Sequence, residues 1–293
     1  MANRFNRKRL LVGVVSALIA AISVCAGGGT GGQQAASTPT PTPTPIPAPS
    51  AASTPRHTIN VVVIGDSIAF GGGDCGGCAA YVDLYASALS KRPGLQARAG
   101  NYSTHDGLHA VGLIQRLKTE TEYRRAVQRA DILIISILHN DTTWASDTDT
   151  CDGNKSDPID FSKYTKPCVA ATAKTGGDAL TQILAQTKSL RAGKPTVRIV
   201  PTIYNDWIGT DGAPAGSTKG SKLVLDTFER EMCRVAKAAG AVCLDVYRDF
   251  NGPDGLKPSG DLLAFDFTHP SAKGHERIAQ LLEKVDVSKV AGH

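Results

Sequence analysis

From residue 56 onward, runs of Val, Ile and Leu alternate with stretches in which apolar residues return every three or four positions. The uninterrupted runs predict strands at 58–65 (TINVVVIG), 95–99, 131–138 (DILIISIL), 196–204 and 241–247. Their branched aliphatic content, with no polar alternation, suits strands covered on both faces, as in a parallel sheet. Tyr81, Leu84, Tyr85, Ala88 and Leu89 fall on one helical face, as do Ile278, Leu281, Leu282 and Val285. Residues 179–190 and 222–239 are less regular but long enough for helices. The alternation predicts an α/β domain: a doubly wound, mainly parallel five-stranded sheet with helices on both faces and its chemistry in the loops after the strands. Two long stretches, 139–177 and 248–268, read as loops, a length that usually marks function or hidden short elements.

The first 56 residues follow another pattern. Arg4, Arg7, Lys8 and Arg9 precede an uncharged run at 10–26, the layout of an export signal. That run falls short of the roughly 20 residues that span a bilayer, so 1–25 is expected to be a signal, with an uncleaved anchor as the alternative. Its end, Ile22-Ser23-Val24-Cys25, resembles the lipobox of bacterial lipoproteins, which makes Cys25 a candidate for lipidation and membrane attachment. Val24 departs from the small residue usual there, and ordinary cleavage is the competing reading. Residues 26–56 are Gly-rich and then repeat Thr-Pro, a composition that favours extended polyproline conformations and reads as a spacer. The domain is therefore expected at 57–293, in an exported protein of the periplasm or cell surface.

With 41% hydrophobic and 20% charged residues, wholesale disorder and a polytopic membrane protein are both excluded. The net charge of +5 changes meaning once the signal is set aside. Its four basic residues leave 28 Lys plus Arg against 27 Asp plus Glu, a net +1 that gives no footing for a nucleic-acid partner. Setting Cys25 apart leaves Cys75, Cys78, Cys151, Cys168, Cys233 and Cys243. An even set in an exported chain predicts three disulfides, and locality favours 151 with 168, 233 with 243, and 75 with 78. The CxxC at 75–78 is also the spacing of a redox dithiol or half a zinc site, but no second CxxC follows.

Candidate chemistry lies at the two ends of the domain. The first strand runs into Gly65-Asp66-Ser67, placing Ser67 at the strand-to-helix turn, where a serine is a nucleophile only if a base takes its proton. Near the other end is Asp266-Phe267-Thr268-His269-Pro270, in which an acid can hold one ring nitrogen of His269 and leave the other to face a hydroxyl. Each alone has a plainer reading: Ser67 as a helix cap, and Asp266 with His269 as a loop pair or two metal ligands.

Together, GDS after the first strand and DxxHP before the last helix resemble the SGNH (GDSL-type) hydrolase family over residues 58–286. The resemblance implies a flavodoxin-like sheet, hydrolysis of acyl esters without a cofactor or metal, Ser67 as nucleophile, His269 as base and acid, and Asp266 as its orienter. The family's oxyanion motifs are matched more loosely. Leu138-His139-Asn140-Asp141 is similar to Gly-x-Asn-Asp, making Asn140 a side-chain donor, and Leu138 stands where glycine is usual. Gly100-Asn101-Tyr102-Ser103 resembles Gly-x-x-Gly, so the Ser103 N–H is expected to join the Ser67 N–H, with Gly107 as the substitute if the loop is shifted. Asp66 and Trp144 are expected to line the substrate site, Trp144 and Trp207 offering rings for stacking on a sugar. The expected function is that of an exported serine esterase acting on an ester, with an acetylated saccharide as the candidate substrate. A surface-tethered carbohydrate-binding protein that keeps the fold without activity is the alternative.

Overall fold

The computed structural model describes residues 56–145, 151–152 and 159–291. The signal at 1–25, Cys25 and the spacer up to residue 55 lie outside the described residues. The chain divides into two units, 1–53 and 54–293, and the second holds everything described below.

Five strands, β1 (His57–Gly65), β2 (Leu95–Ser103), β3 (Ile132–Ser136), β4 (Val197–Pro201) and β5 (Val242–Leu244), form one parallel sheet in the order β2-β1-β3-β4-β5. This is the doubly wound order in which β1 and β3 lie side by side at the switch point, where the loops leaving them part to opposite faces. Eight helices accompany it among the described residues: α1 (Tyr81–Ser90), α2 (Ala110–Thr119), α3 (Thr121–Arg129), α4 (Lys166–Arg191), α5 (Ser217–Ala238), α6 (Val246–Asn251), α7 (Ala272–Leu282) and α8 (Ser288–Ala291). β1 shows why the strand runs are continuous. Ile59, Val61 and Val63 enter the core shared with α1, α7 and α8, while Val62 and Ile64 enter the core shared with α2, α3, α4 and α5.

Several elements differ from the sequence expectation for identifiable reasons. β2 runs four residues past the expected end, through Gly100, Asn101, Tyr102 and Ser103, because an edge strand leaves many side chains exposed and tolerates polar residues. α4 starts at Lys166, inside the expected loop, and the adjacent Gly176 and Gly177 mask its helical pattern. Both lie close to neighbours: a Cβ on Gly177 would meet the Glu231 side chain of α5 at 2.4 Å, and one on Gly176 would lie 3.3 Å from Leu138 and 3.4 Å from Phe228. α2 and α3 were not expected from the sequence: both are short, and extended Glu120 separates them.

All three expected disulfides are present: Cys75–Cys78, Cys151–Cys168 and Cys233–Cys243. Cys151–Cys168 closes a separation of 17 residues onto the first turn of α4. Replacing both cysteines with serine is expected to cost about 3 kcal/mol, the loop-closure entropy of a link of that length. The measurement is the loss of unfolding free energy from urea curves fitted for both midpoint and slope, the slope rising as the unfolded chain expands, and no loss would show that the link constrains nothing.

Candidate active site

The turn after β1 is built by the three residues of its motif. Gly65 has φ +147°, and a Cβ there would meet the carbonyl oxygen of Ser136 at 1.6 Å, so only glycine lets β1 end this close to β3. Asp66 follows, its N–H donating to Ser136 O at 2.9 Å. Its carboxylate caps the short 3-10 helix Ser67–Ala69 by accepting from Ile68 N (3.2 Å), and its other oxygen accepts from His139 N (3.3 Å) after β3. Asp66 thus ties together the two loops that carry Ser67 and Asn140. It is 1% exposed with both oxygens engaged by backbone N–H groups, which corrects the expectation that it lines the substrate site. Burial pushes its carboxyl up to about 7, against the pull of those hydrogen bonds.

The loop before α7 is pinned on both sides. Leu263 bridges Pro270, Ala264 N donates to His269 O (2.8 Å), and the Tyr204 hydroxyl donates to Thr268 O (2.5 Å). Ser271 caps α7 by accepting from Gly274 N and donates to Asp261 O. Inside this frame Asp266 Oδ1 accepts from the N–H groups of Thr268 and His269, both at 3.0 Å, and Oδ2 lies 2.5 Å from His269 Nδ1. His269 Nε2 lies 2.9 Å from Ser67 Oγ. The fold therefore brings Ser67, His269 and Asp266 into one hydrogen-bonded chain across a sequence separation of 202 residues.

Charge follows that geometry. Burial raises the Asp266 carboxyl, but hydrogen bonds from His269 and from the Thr268 and His269 backbone outweigh it and hold the carboxyl below its ordinary range. Burial lowers the His269 imidazole, and the hydrogen bond and charge of Asp266, with smaller help from Asp74 and Asp66, turn this into a net rise above 6.5. The arrangement can take a proton from a serine hydroxyl and hold the resulting imidazolium.

The loop after β3 explains the missing glycine. Leu138 sits at φ +88°, a left-handed conformation that costs a branched residue about 1–2 kcal/mol. Its side chain is fully buried, its methyls lying over Gly176 on α4. That burial contributes about 1.5–3 kcal/mol and offsets the strain. Asn140 follows, one amide hydrogen donated to Leu108 O (3.2 Å) and the second left to give.

Two other expected site residues are placed differently. The Ser103 N–H ends β2 opposite Gly65 but donates to Asn101 Oδ1 (3.0 Å), so it is already engaged, which corrects its assignment as an oxyanion donor. Among the described residues no partner is found for the Ser67 N–H. Trp144 is 6% exposed and packs against Trp207 and Phe161 at ring distances of 6.1 Å. It is a core side chain, and the expectation that it stacks on substrate is corrected; Trp207 is buried in the same cluster.

Sequence reasoning missed Asn101, Asp74, His105 and the phenylalanines. Asn101 Nδ2 donates to Ala69 O (2.9 Å), tying β2 to the turn that carries Ser67. His105 Nδ1 lies 3.0 Å from Asp74 Oδ2, and its ring stands 5.3 Å from that of His269 and 5.7 Å from that of Phe70. Phe70, Phe265 and Phe267 are 44%, 80% and 45% exposed, all within three residues of Ser67 or Asp266.

A parallel 2-1-3-4-5 sheet with serine, histidine and aspartate linked at its switch-point edge defines a flavodoxin-like α/β fold of the SGNH hydrolase type. The sequence profile of the GDSL-like lipase/acylhydrolase family matches residues 63–277, and the chain belongs to that family. It is a carboxylic ester hydrolase by class. No curated protein matches the sequence. Solved structures share the fold at low identity. The lipase Lip_vut3 from a goat rumen metagenome has 17% identity and a TM-score of 0.60, over 77% of this chain and 96% of that one. An extracellular lipase from Streptomyces rimosus has 17% identity and a TM-score of 0.57, over 78% and 100%. Axe2, an acetylxylan esterase from Geobacillus stearothermophilus, has 20% identity and a TM-score of 0.54, over 79% and 97%.

Proposed function

We propose that the protein is an exported serine esterase that works through a Ser67-His269-Asp266 triad and an acyl-enzyme, removing short acyl groups such as acetyl from a carbohydrate. The observation that carries the reading is the unbroken chain from Ser67 Oγ through His269 to Asp266. In this reading Ser67 Oγ attacks the ester carbonyl as His269 Nε2 takes its proton. The tetrahedral oxyanion is received by the Ser67 N–H and the second amide hydrogen of Asn140. Collapse expels the alcohol with the proton held by His269. A water then gives its proton to the same nitrogen and attacks the acyl carbon, which frees the acid and returns the proton to Ser67.

The carbohydrate assignment takes support from an acetylxylan esterase among the structural neighbours and from the exposed phenylalanines beside the triad. Phe70, Phe265 and Phe267 offer ring faces for the apolar side of a sugar, the role first expected of Trp144. The same three rings favour a second reading, a substrate with a longer acyl chain. Export and lipid attachment at Cys25 rest on the N-terminal pattern.

A fluorophosphonate should form one covalent adduct, located on Ser67 by peptide mass spectrometry, and an unlabelled folded protein would favour the silent binding alternative. Rates on acetylated xylo-oligosaccharides and on chromogenic esters of graded chain length then separate the two substrates. A preference for acyl chains of about eight carbons or more overturns the acetyl reading.

Asn140→Ala is expected to lower kcat by about 10²–10³-fold with little change in KM, the usual effect of losing one oxyanion donor. A loss below tenfold would remove Asn140 from the hole.

A further inference from the structure

We propose that Asp74, His105 and His269 form a divalent-metal site, selective for zinc and similar borderline ions, whose occupation switches the esterase off. One ligand atom from each of the three side chains lies within 4.8 Å of the other two. His269 Nδ1 is held by Asp266, so the nitrogen it has to offer is Nε2, the atom that faces Ser67 Oγ. Two imidazoles and one carboxylate are a donor set that suits Zn²⁺ far better than Ca²⁺ or Mg²⁺, with a fourth position left for water.

Asp74 is the anchor. It lies within the short 3-10 helix Gly73–Cys75, in a loop closed by the Cys75–Cys78 bridge and by Gly72 N donating to Cys78 O (3.1 Å). Its Oδ2 is shut off from solvent and accepts no well-directed hydrogen bond, its neighbour being His105 Nδ1 at 3.0 Å. Such an oxygen is a costly thing to bury unless a cation can meet it. The His105 side chain is 49% exposed and rests against Phe70, so it can rotate without disturbing the core. Metal–ligand bonds of about 2.0–2.2 Å require the three ligand atoms to draw closer together, a shift that His105 can supply.

The chemistry of inhibition follows from the shared nitrogen. The lone pair on His269 Nε2 accepts the Ser67 proton during attack, and a metal bound there holds that lone pair instead. Ser67 keeps its proton and no acyl-enzyme forms.

The inhibition rests on the triad reading, whereas metal binding does not, and the test keeps them apart. Zinc chloride is titrated calorimetrically into the oxidised protein in a non-chelating buffer, with wild type compared with His105→Ala, Asp74→Asn and, as a control on another His–Asp pair, His109→Ala. One zinc per chain is expected, weakened at least ~10-fold in the first two variants and unchanged in the third, since even outer-shell partners of a metal are worth that much. Equal binding in all four proteins, or none in wild type, overturns the site. In parallel, zinc inhibition of acetate ester hydrolysis is expressed against each variant's own metal-free rate. Inhibition in His105→Ala at the wild-type concentration overturns the switch. Zinc binding without any hydrolysis in wild type would leave the site standing and sink the esterase reading alone.

Discussion

Ser67→Ala and His269→Ala are each expected to lower kcat on an acetate ester by about 10⁶-fold, and the double replacement by hardly more, because nucleophile and base act as one unit. The fold should survive both. Ser67 makes its side-chain bond to His269 Nε2, while the 3-10 turn is capped by Asp66 and the β1–β3 junction is closed by the Asp66 N–H on Ser136 O. His269 is held through its backbone, its N–H on Asp266 and its carbonyl accepting from Ala264, so alanine keeps the loop in place. The decisive measurement is single-turnover acylation beside a thermal melt. Losses below about 10³-fold in a folded protein would mean that catalysis does not pass through this pair. Additive losses in the double variant would mean that the two residues act separately.

The parts of this molecule that were legible in sequence are those where one physical requirement fixes several residues in a row. β1 must be apolar on both faces, which writes Val61 to Ile64 without a break, and Asp266 and His269 meet within one turn, so the pair stands together in the sequence. Edge strand β2 lacks such a requirement, and its polar end concealed both its length and the role of Asn101. Leu138 is the most instructive departure. Leucine stands at a left-handed position that glycine would take without strain, and its buried side chain packs beside Gly176 in a different element, a contact that spacing along the chain does not show. Trp144 misled for the opposite reason. Its loop position suggests a binding surface, but its ring is spent on packing Trp207 and Phe161, while the exposed rings are phenylalanines flanking Ser67 and Asp266. Composition cannot tell which aromatics a fold turns outward.

Asp266→Asn should cost about 10⁴-fold in kcat at neutral pH, and the reason lies in which atoms the carboxylate serves. Oδ1 accepts two backbone N–H bonds, from Thr268 and His269, while Oδ2 faces His269 Nδ1. An asparagine has one acceptor, and the two backbone donors will claim it, turning its NH₂ toward Nδ1. That nitrogen must then be the unprotonated one, which leaves the proton on Nε2, pointed at Ser67 where a lone pair is needed. The pH dependence carries the same logic. His269 is lifted above its ordinary 6.5 by Asp266, so wild-type kcat/KM should rise with pH through a midpoint above 6.5 as the imidazole loses its proton. Removing the Asp266 charge should move that midpoint down. In stability the signs are fixed too: the raised His269 contributes below 6.5 and its contribution is lost as pH rises through its folded value, whereas the depressed Asp266 contributes above 3.8 and is lost as pH falls through its own. A pH–rate profile of wild type and Asp266→Asn, read with the ¹⁵N shifts of His269 that report its tautomer, checks both statements. An unmoved midpoint and an unchanged tautomer would make Asp266 a loop brace and would shift the work of orienting His269 to the backbone around it.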